Sequence, residues 1–268
     1  MKIKDYLNSG SERGINRGEL EILISKRLGL SRTEIILKED EDLMADENIL
    51  QLDNDIKRRL AGEPLAYILG TREFYGRDFL VDKNVLIPRP ETEVMIDVVK
   101  KIAASEARDL KILDVGTGSG CIAVTLKLEL EGVKVLAVDV SKSALEVARD
   151  NAKRLGAEVE FIESSLLEKV EAEDFDIVTA NLPYVDKSWD WLSRRDLASE
   201  PELALYAEDG GLALIFELIN QVKKQLRPGT YLALECDVSQ QDRLIMYAKN
   251  LGLELIQKNG YITVFRLN

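Results

Sequence analysis

The stretch KILDVGTGSGCIAVTLKLEL, residues 111–130, decides the fold class of this chain. Its short apolar run at 111–115 predicts a buried strand, its glycines predict a tight turn, and residues 121–130 predict a helix. The same order returns at once, with an apolar run at 134–140 followed by a helical pattern at 141–156. Strands that alternate with helices are typical of a parallel sheet covered on both faces, so we predict an α/β fold.

The alternation continues to the end of the chain. We predict further strands at 158–164, 175–181 and 231–237, and further helices at 211–226 and 239–252. Residues 253–268 predict two strands joined by Asn259-Gly260, because Asn-Gly is the strongest short hairpin signal. The predicted sheet is therefore mostly parallel, with an antiparallel hairpin at its C-terminal end.

The first 70 residues have a different, helical pattern. Leu20, Leu23 and Ile24 recur at helical spacing, and Ser31 with Glu34 has the form of a capping box. A third helix is predicted near 47–61. We therefore predict an N-terminal helical bundle domain over 1–70.

Residues 71–90 mix turn residues with short apolar runs. We predict strands at 73–75 and 79–81, joined across Gly76, and two prolines then stiffen the exit. This stretch is predicted to be a β-hairpin linker between the helical domain and the α/β domain at 91–268.

The composition excludes several classes of protein. The chain has 268 residues, 46% of them hydrophobic, which is enough for a core and argues against disorder. It has no histidine, which removes the usual zinc ligands and every Ser-His or Cys-His nucleophile. Two cysteines argue against a disulfide scaffold. A net charge of −12 argues against nonspecific nucleic-acid binding. Because neither a signal peptide nor a long apolar run is visible, we predict a soluble cytoplasmic protein that contacts no membrane.

A glycine-rich turn, Asp114 to Gly120, lies between the first strand and the first helix of the α/β region. Glycines let the backbone approach a ligand closely, and a helix N-terminus offers free N–H groups. Asp139 closes the next strand, where a carboxylate can accept hydrogen bonds from both hydroxyls of a ribose. A tight turn without a ligand is the alternative. We favour a nucleoside cofactor site formed by Asp114, Gly116, Thr117, Gly118, Ser119, Gly120 and Asp139.

NAD and S-adenosylmethionine both bind in such a turn. The spacing here is GxGxG, so the GxGxxG fingerprint of dinucleotide sites is missing. Asp114 also precedes the glycines, and the methionine tail of S-adenosylmethionine needs no pyrophosphate cradle. Both features favour S-adenosylmethionine as the cofactor.

The tetrapeptide Asn181-Leu182-Pro183-Tyr184 directly follows a predicted strand. In an open parallel sheet the carboxyl ends of neighbouring strands share one crevice, so this motif faces the glycine-rich turn. The Asn181 side-chain oxygen and the Leu182 carbonyl are two acceptors that can hold both hydrogens of an –NH2 group. Pro183 keeps Leu182 extended, and Tyr184 offers an aromatic face to a flat group. An ordinary turn is the alternative, because Asn and Pro are common turn residues.

From about Gly62 onward the chain resembles the HemK/PrmC family of protein-(glutamine-N5) methyltransferases, which modify peptide chain release factors. The stretches that carry the resemblance are GEPLAYILG, EFYGRDFLV, LIPRPETE, ILDVGTGSGCIA, AVDVSKSALEVARDNA, FDIVTANLPYV, SEPELAL and EDGGL. The resemblance implies a Rossmann-like class I methyltransferase sheet with a small N-terminal helical domain. It also implies S-adenosylmethionine as cofactor, and as substrate the glutamine of the Gly-Gly-Gln loop in class I release factors.

The resemblance also implies roles for individual residues. Asn181, Pro183 and Tyr184 would be catalytic, and Leu182 would join them in holding the substrate. Ser165, Leu166 and Asn181 would contact the cofactor in addition to the glycine-rich turn. Two positions depart from the family pattern. Leu182 replaces the first proline of Asn-Pro-Pro-Tyr, and Ser165-Leu166 stands where the family has Ser-Asp.

Two other functions remain open at the level of sequence. Motifs of the Asn-Pro-Pro-Tyr type also occur in enzymes that methylate the N6 amine of adenine in DNA or RNA, although a net charge of −12 counts against direct nucleic-acid contact. The two departures would also suit a paralogue that binds S-adenosylmethionine without catalysis.

Several charged and aromatic residues flank the motifs and carry two interpretations each. Arg89, Glu91 and Glu93 either line the active site or form an ion pair. Trp189 and Trp191 either cover the substrate entrance or pack their loop. Arg194 and Arg195 either contact a partner or simply carry surface charge, and surface charge is the simpler explanation.

Overall fold

The computed structural model describes residues 1–42, 45–106, 109–171, 175–189 and 197–268. The chain divides into two compact units, one of Met1–Thr71 with Ser193–Ser199 and one of Arg72–Leu192 with Glu200–Asn268. Each unit has its own hydrophobic core. In the described part of the chain, no helix has both the length and the apolar character that a bilayer crossing requires.

The first unit is built from helices, as its sequence pattern predicts. They are α1 (Ile3–Glu12), α2 (Arg17–Leu28), α3 (Arg32–Leu37), α4 (Asp46–Leu60) and α5 (Leu65–Leu69). The predicted capping box forms: Ser31 accepts from the Glu34 backbone N–H, and the Glu34 carboxylate accepts from that of Ser31. Leu20, Leu23 and Ile24 of α2 lie in the buried core of this unit.

The second unit contains a seven-stranded sheet in the order β5-β4-β3-β6-β7-β9-β8. Its strands are β3 (Lys111–Val115), β4 (Lys134–Asp139), β5 (Glu160–Glu163), β6 (Ile177–Ala180), β7 (Tyr231–Glu235), β8 (Leu253–Asn259) and β9 (Ile262–Leu267). The first five run parallel, while β9 pairs antiparallel with both β7 and β8. The Rossmann-like sheet and its C-terminal antiparallel hairpin are thus confirmed. The hairpin turn is Gly260-Tyr261, one residue later than predicted, because Asn259 still pairs with Ile262.

Helices cover both faces of this sheet. They are α6 (Glu93–Ala104), α7 (Cys121–Glu129), α8 (Lys142–Leu155), α9 (Glu202–Leu205), α10 (Ala213–Gln225) and α11 (Gln241–Asn250). Side chains that alternate along one strand belong to two separate cores. Ile112 of β3 packs in the core that includes α6 and α7, and Leu113 packs in the core that includes α10 and α11.

Of the stretch 71–90, predicted as a linker, residues 72–90 belong to the second unit and Thr71 belongs to the first. Its hairpin consists of β1 (Thr71–Phe74) and β2 (Arg77–Leu80), one to two residues earlier than the predicted strands. Tyr75 and Gly76 form the turn, both with positive φ, and two consecutive positive φ values are what a two-residue hairpin turn of type I′ needs. Phe74 and Phe79 are buried beside α6, so the hairpin belongs to the core on one face of the seven-stranded sheet.

Candidate active site

The order of strands in the sheet reverses between β3 and β6, and a crevice lies there. The chain runs outward from β3 to β4 and β5, then returns to β6 and β7 on the other side. Ligands of open parallel sheets bind at such a point, beyond the carboxyl ends of the strands. A cavity of about 300 Å³ lies at this point. Its wall includes residues that follow four strands, namely Val115–Ser119, Asp139–Ser141, Ser164–Leu166 and Asn181–Pro183.

The glycine-rich turn forms one side of the cavity through backbone geometry that only glycine adopts without strain. Gly116, Gly118 and Gly120 all have positive φ. At Gly116 an added Cβ would lie 2.7 Å from Cδ2 of Leu182, so the turn and the Asn181 loop are in close contact. At Gly118 an added Cβ would meet no protein atom within 4 Å, which leaves space for a ligand against the backbone.

Asp139 is held at the end of β4 by backbone donors. The N–H of Gly118 donates to Oδ2 at 2.9 Å, and the N–H of Ser141 donates to Oδ1 at 2.8 Å. Burial raises the pKa of this carboxyl. Each oxygen keeps a further lone pair. Asp139 lies in the cavity wall, where the two free lone pairs suit a pair of ribose hydroxyls.

Asp114 precedes the glycines of the predicted cofactor turn, but its side chain lies in the protein interior. It is fully buried, and the Thr179 hydroxyl on the neighbouring β6 donates to its Oδ1 at 2.7 Å. Burial raises the pKa of Asp114 to about 6. The carboxylate therefore joins β3 to β6 beneath the cavity, while Val115 and Gly116 form the wall. A direct contact between Asp114 and a cofactor stays a prediction.

The residues after β5 reach the adenine side of the predicted cofactor site. Ser165 and Leu166 both line the cavity. Leu166 has a φ of +48°, which is uncommon for a residue with a side chain and costs about 1–2 kcal/mol. Strain of this kind persists only where the surroundings enforce it, and it is frequent at ligand sites.

Asn181 begins the loop after β6, and its side chain is fixed from behind. Nδ2 of Asn181 donates to Oγ1 of Thr92 at 3.1 Å, and Thr92 is almost completely buried. Because the –NH2 end is engaged, Oδ1 is the end left to accept a hydrogen bond from a ligand. Asn181, Leu182 and Pro183 all line the cavity, so the structure brings them together with the glycine-rich turn.

The rest of this loop is anchored by the polypeptide around α9 and α11. The N–H of Val185 donates to the carbonyl of Leu205 at 2.9 Å. The Gln240 side chain donates to the carbonyls of Tyr184 and Gly210, at 2.7 and 2.6 Å. These contacts hold the backbone at Tyr184 and Val185, three and four residues after Asn181.

Tyr184 is turned toward a carboxylate that the sequence patterns did not single out. Its hydroxyl donates to Oε1 of Glu235, at the end of β7, at 3.3 Å. Tyr184 does not line the cavity, so the stacking of its ring on a substrate amide stays a prediction. Glu235 is buried, and burial raises its pKa to about 7. Its signal in the sequence was an acid closing an apolar strand, YLALE, as Asp139 closes KVLAVD.

The PRPETE stretch supplies both a wall and an ion pair. Arg89 lines the cavity, and its guanidinium donates to Oε1 of the buried Glu200. Oε2 of the same carboxylate accepts from the N–H of Ile87 at 3.1 Å. Glu93 instead accepts from the N–H of Tyr75 at 2.9 Å and so holds the hairpin. Both interpretations of Arg89 therefore apply at once.

Some sequence predictions fall outside this site. Trp191, Arg194 and Arg195 lie outside the described residues. Within the described ranges, no group of three or more Cys, Asp or Glu side chains could hold a metal ion.

The residues of the cavity fit S-adenosylmethionine. The space beside Gly118 admits a ligand to the backbone, and Asp139 offers free lone pairs to a ribose. Leu166 and Val140 supply apolar surface for a flat base. Asn181 and Leu182 line the same cavity.

Two family models match the chain. The PrmC N-terminal domain matches residues 4–70, and the methyltransferase small domain matches residues 91–200.

Curated relatives match over most of their length. The release factor glutamine methyltransferase of Koribacter versatilis (strain Ellin345) is 44% identical over 83% of this chain and 79% of its own. The protein of the same name from Neisseria gonorrhoeae (strain ATCC 700825 / FA 1090) is 41% identical over 81% of this chain and 79% of its own.

Solved structures share the fold at low sequence identity. The hMettl16 catalytic domain in complex with the MAT2A 3'UTR hairpin 6 has a TM-score of 0.54 and 17% identity, covering 83% of this chain and 82% of that one. A methyltransferase from Pyrococcus furiosus has a TM-score of 0.52 and 19% identity, covering 80% and 98%. At this identity the likeness concerns the fold alone.

Proposed function

Because the chain belongs to the family of release factor glutamine methyltransferases, we propose that it methylates the side-chain amide nitrogen of a glutamine in a class I peptide chain release factor. The target is the glutamine of the Gly-Gly-Gln loop, and the methyl donor is S-adenosylmethionine. Release factors act in the cytoplasm, so we place the enzyme there. The net charge of −12 supports a protein substrate over direct contact with nucleic acid.

The glycine-rich turn and Asp139 hold the methyl donor in this proposal. The backbone at Gly118 faces open space, so a ligand can lie directly on it. Asp139 is preorganised by two backbone N–H donors and accepts from the ribose hydroxyls. Leu166 covers the base. When bound, S-adenosylmethionine supplies a methyl group on a sulfonium, and S-adenosylhomocysteine leaves when the amide nitrogen takes that methyl.

Asn181 and Leu182 orient the substrate amide. Oδ1 of Asn181 and the carbonyl of Leu182 each accept one hydrogen of the –NH2 group, which fixes its plane and directs the nitrogen lone pair toward the methyl. An amide nitrogen is a poor nucleophile because its lone pair is delocalised into the carbonyl. Orientation is therefore the main contribution of the protein to the rate. The N-methylated amide cation loses a proton to water readily, so no strong base is needed.

The observation that carries this proposal is the hydrogen bond from Nδ2 of Asn181 to Thr92 at 3.1 Å. It leaves Oδ1 as the acceptor at the wall of a cavity shared with the glycine-rich turn. A carboxamide with its –NH2 end toward the substrate would repel the glutamine amide.

The test is methyl transfer from radiolabelled S-adenosylmethionine. The acceptors are a class I release factor, the same factor with the Gly-Gly-Gln glutamine changed to alanine, and adenine-containing DNA and RNA. We expect label on the intact factor only. Label on nucleic acid would instead indicate an adenine methyltransferase, and cofactor binding with no transfer would indicate a paralogue without catalysis.

Asn181→Ala tests the assigned role of the carboxamide. We expect a loss of about 10²–10³ in kcat, by analogy with removal of a preorganised polar contact, with cofactor affinity retained. Asn250→Ala, at the exposed end of α11, is the matched control and should turn over normally. Near-normal turnover of Asn181→Ala would contradict the mechanism.

A further inference from the structure

Glu235 is a buried carboxylate at the active site that the mechanism above does not use. It ends β7, directly beside the end of β6 from which the Asn181 loop departs. Glu235 is shielded from solvent: its side chain is only 1% exposed and does not line the cavity. A buried carboxylate is costly unless its oxygens are hydrogen-bonded, so its presence here calls for a reason.

Two of the polar groups near Glu235, Tyr184 and Asn181, belong to the Asn181 loop, and a third, Thr92, holds the Asn181 side chain. The Tyr184 hydroxyl donates to Oε1. Oε2 has no protein hydrogen-bond partner within the described residues. Thr92 and Asn181 lie close enough to stabilise the charged form of the carboxyl and so to lower its pKa. Thr92 and Asn181 are also joined to each other by the hydrogen bond from Nδ2 of Asn181 to Oγ1 of Thr92.

The direction of these hydrogen bonds determines which end of Asn181 faces the substrate. A hydroxyl has one hydrogen to donate, and an ionised carboxylate has none. While Glu235 is ionised, the Thr92 hydroxyl has a carboxylate to donate to and keeps its lone pairs for Nδ2 of Asn181. If Glu235 carries a proton, that proton can be donated to Thr92. Thr92 can then donate to Oδ1 of Asn181, which turns the –NH2 end toward the cavity.

We propose that Glu235 is a positioning residue, which acts through Thr92 to keep Oδ1 of Asn181 directed at the substrate amide. This inference rests on the proposed function, since it concerns the same acceptor site. Glu235 touches neither substrate nor cofactor in this account. It sets the direction of a chain of hydrogen bonds that ends at the substrate.

A dependence on pH follows from this arrangement. Burial, reinforced by the nearby Glu91 carboxylate, raises the pKa of Glu235 to about 7. The other titratable groups that face Glu235 are Tyr184, Cys121 and Cys236, with Arg89 and Tyr261 acting on Tyr184. Burial raises the pKa of both thiols to about 12 and also raises that of Tyr184, so these groups stay neutral near pH 7. The active ionised form of Glu235 is therefore present above pH 7 and is lost as the pH falls through that value.

The first experiment measures kcat against pH from 5.5 to 8.5, with saturating S-adenosylmethionine and release factor. For the wild type we expect kcat to fall about tenfold per pH unit below the pKa of Glu235. In Glu235→Gln the Gln oxygen still accepts from Thr92 but does not titrate, so the acid limb should vanish. Glu254→Gln, on the exposed face of β8, should keep the acid limb. An unchanged acid limb in Glu235→Gln would overturn the proposal.

Variants without an acceptor test the same chain of bonds at pH 8. Glu235→Met and Thr92→Val should each lose about 10²-fold in kcat, because a misdirected Asn181 is comparable to the loss of a preorganised contact. Thr92→Ser keeps the hydroxyl and should restore turnover. Affinity for S-adenosylmethionine, measured by calorimetry, reports whether each variant is folded. Full kcat in a folded Glu235→Met would refute the role.

A readout that needs no activity separates this inference from the proposed function. In protein with ¹⁵N-labelled asparagine, the side-chain –NH2 of Asn181, assigned by its absence from Asn181→Ala, should shift with a midpoint near pH 7. The shift should be absent in Glu235→Gln. If the wild type shows this titration but does not methylate the release factor, the proposed function fails and the hydrogen-bond chain stands. If the wild type methylates but Asn181 does not titrate, the chain fails alone.

Discussion

Gly211 offers a way to displace the Asn181 loop without changing any residue of that loop. Gly211 has a φ of +83°, and an added Cβ would lie 2.0 Å from the carbonyl oxygen of Tyr184. The same Cβ would lie 2.5 Å from Nε2 of Gln240, the atom that holds this carbonyl. We expect Gly211→Ala to lower kcat sharply.

The size of the effect follows from the clash. Real Cβ atoms essentially never come closer than 3.0 Å to such a neighbour, so the Tyr184 backbone or Gly211 must move by about 1 Å. The obstacle is backbone, so no side-chain rotation can relieve it. A misplacement of 1 Å at a site that works by orientation costs on the order of 10²-fold in rate. Alanine in left-handed geometry adds a stability cost of about 1–2 kcal/mol.

Gly210→Ala separates the displacement from the backbone strain. Gly210 also has a positive φ, of +66°, but its added Cβ would meet only side-chain ends, Nη1 of Arg243 at 3.1 Å and Oδ2 of Asp186 at 3.9 Å. Both variants should therefore show the stability cost of left-handed strain in thermal unfolding, and Gly211→Ala should lose more because of its clash with the Tyr184 backbone. Only Gly211→Ala should lose kcat in the methyl-transfer assay, with affinity for S-adenosylmethionine near that of the wild type. Equal kcat in the two variants would refute the claim that this contact positions the catalytic loop.

Two further predictions concern the cofactor side of the site. Gly118→Ala should weaken S-adenosylmethionine binding by at least about tenfold, because its Cβ would enter the open space against the turn. Gly156, at the end of α8, also has a positive φ and open space around an added Cβ, so Gly156→Ala is the control. It should lose as much stability as Gly118→Ala but keep its affinity for S-adenosylmethionine. Equal calorimetric affinities of the two variants would contradict this prediction. For Asp114, a folded pKa of about 6 against the ordinary 3.8 means that the folded state binds more protons, so the free energy of unfolding should fall by about 2 kcal/mol as the pH rises from 4 to 7. Urea unfolding of Asp114→Asn should lack this decline, and parallel curves for the two proteins would disprove it.

Features that depend on neighbours in the chain could be predicted from the sequence. The capping box joins Ser31 to Glu34 as predicted, and the terminal hairpin forms with its turn at Gly260-Tyr261, one residue beyond the predicted Asn259-Gly260. The glycine-rich turn is likewise local, since φ above zero at Gly116 and Gly118 is a property of those residues. The alternation of strands and helices then placed this turn and the Asn181 loop at one edge of the sheet.

The hairpin at β1 and β2 shows where local signals weaken. Its turn contains Tyr75 with a φ of +51°, and the sequence has no Gly-Gly or Asn-Gly pair there that would predict a turn. Burial of Phe74 and Phe79 beside α6 selects the register instead. The prolines that suggested a linker, Pro88 and Pro90, flank Arg89, and Arg89 forms an ion pair with Glu200, far away in the sequence.

The sequence by itself determined the fold class, the glycine-rich turn and the position of the Asn181 loop, because each depends on residues within a few positions of one another or on the alternation of strands and helices. Only the tertiary structure brought Thr92, Asn181, Tyr184 and Glu235 into one cluster. The physical reason is that hydrogen bonds act over about 3 Å, whereas these residues come from separate parts of the chain. Their meeting depends on β6 lying beside β7, and on the burial of Glu235 that only a completed core can provide.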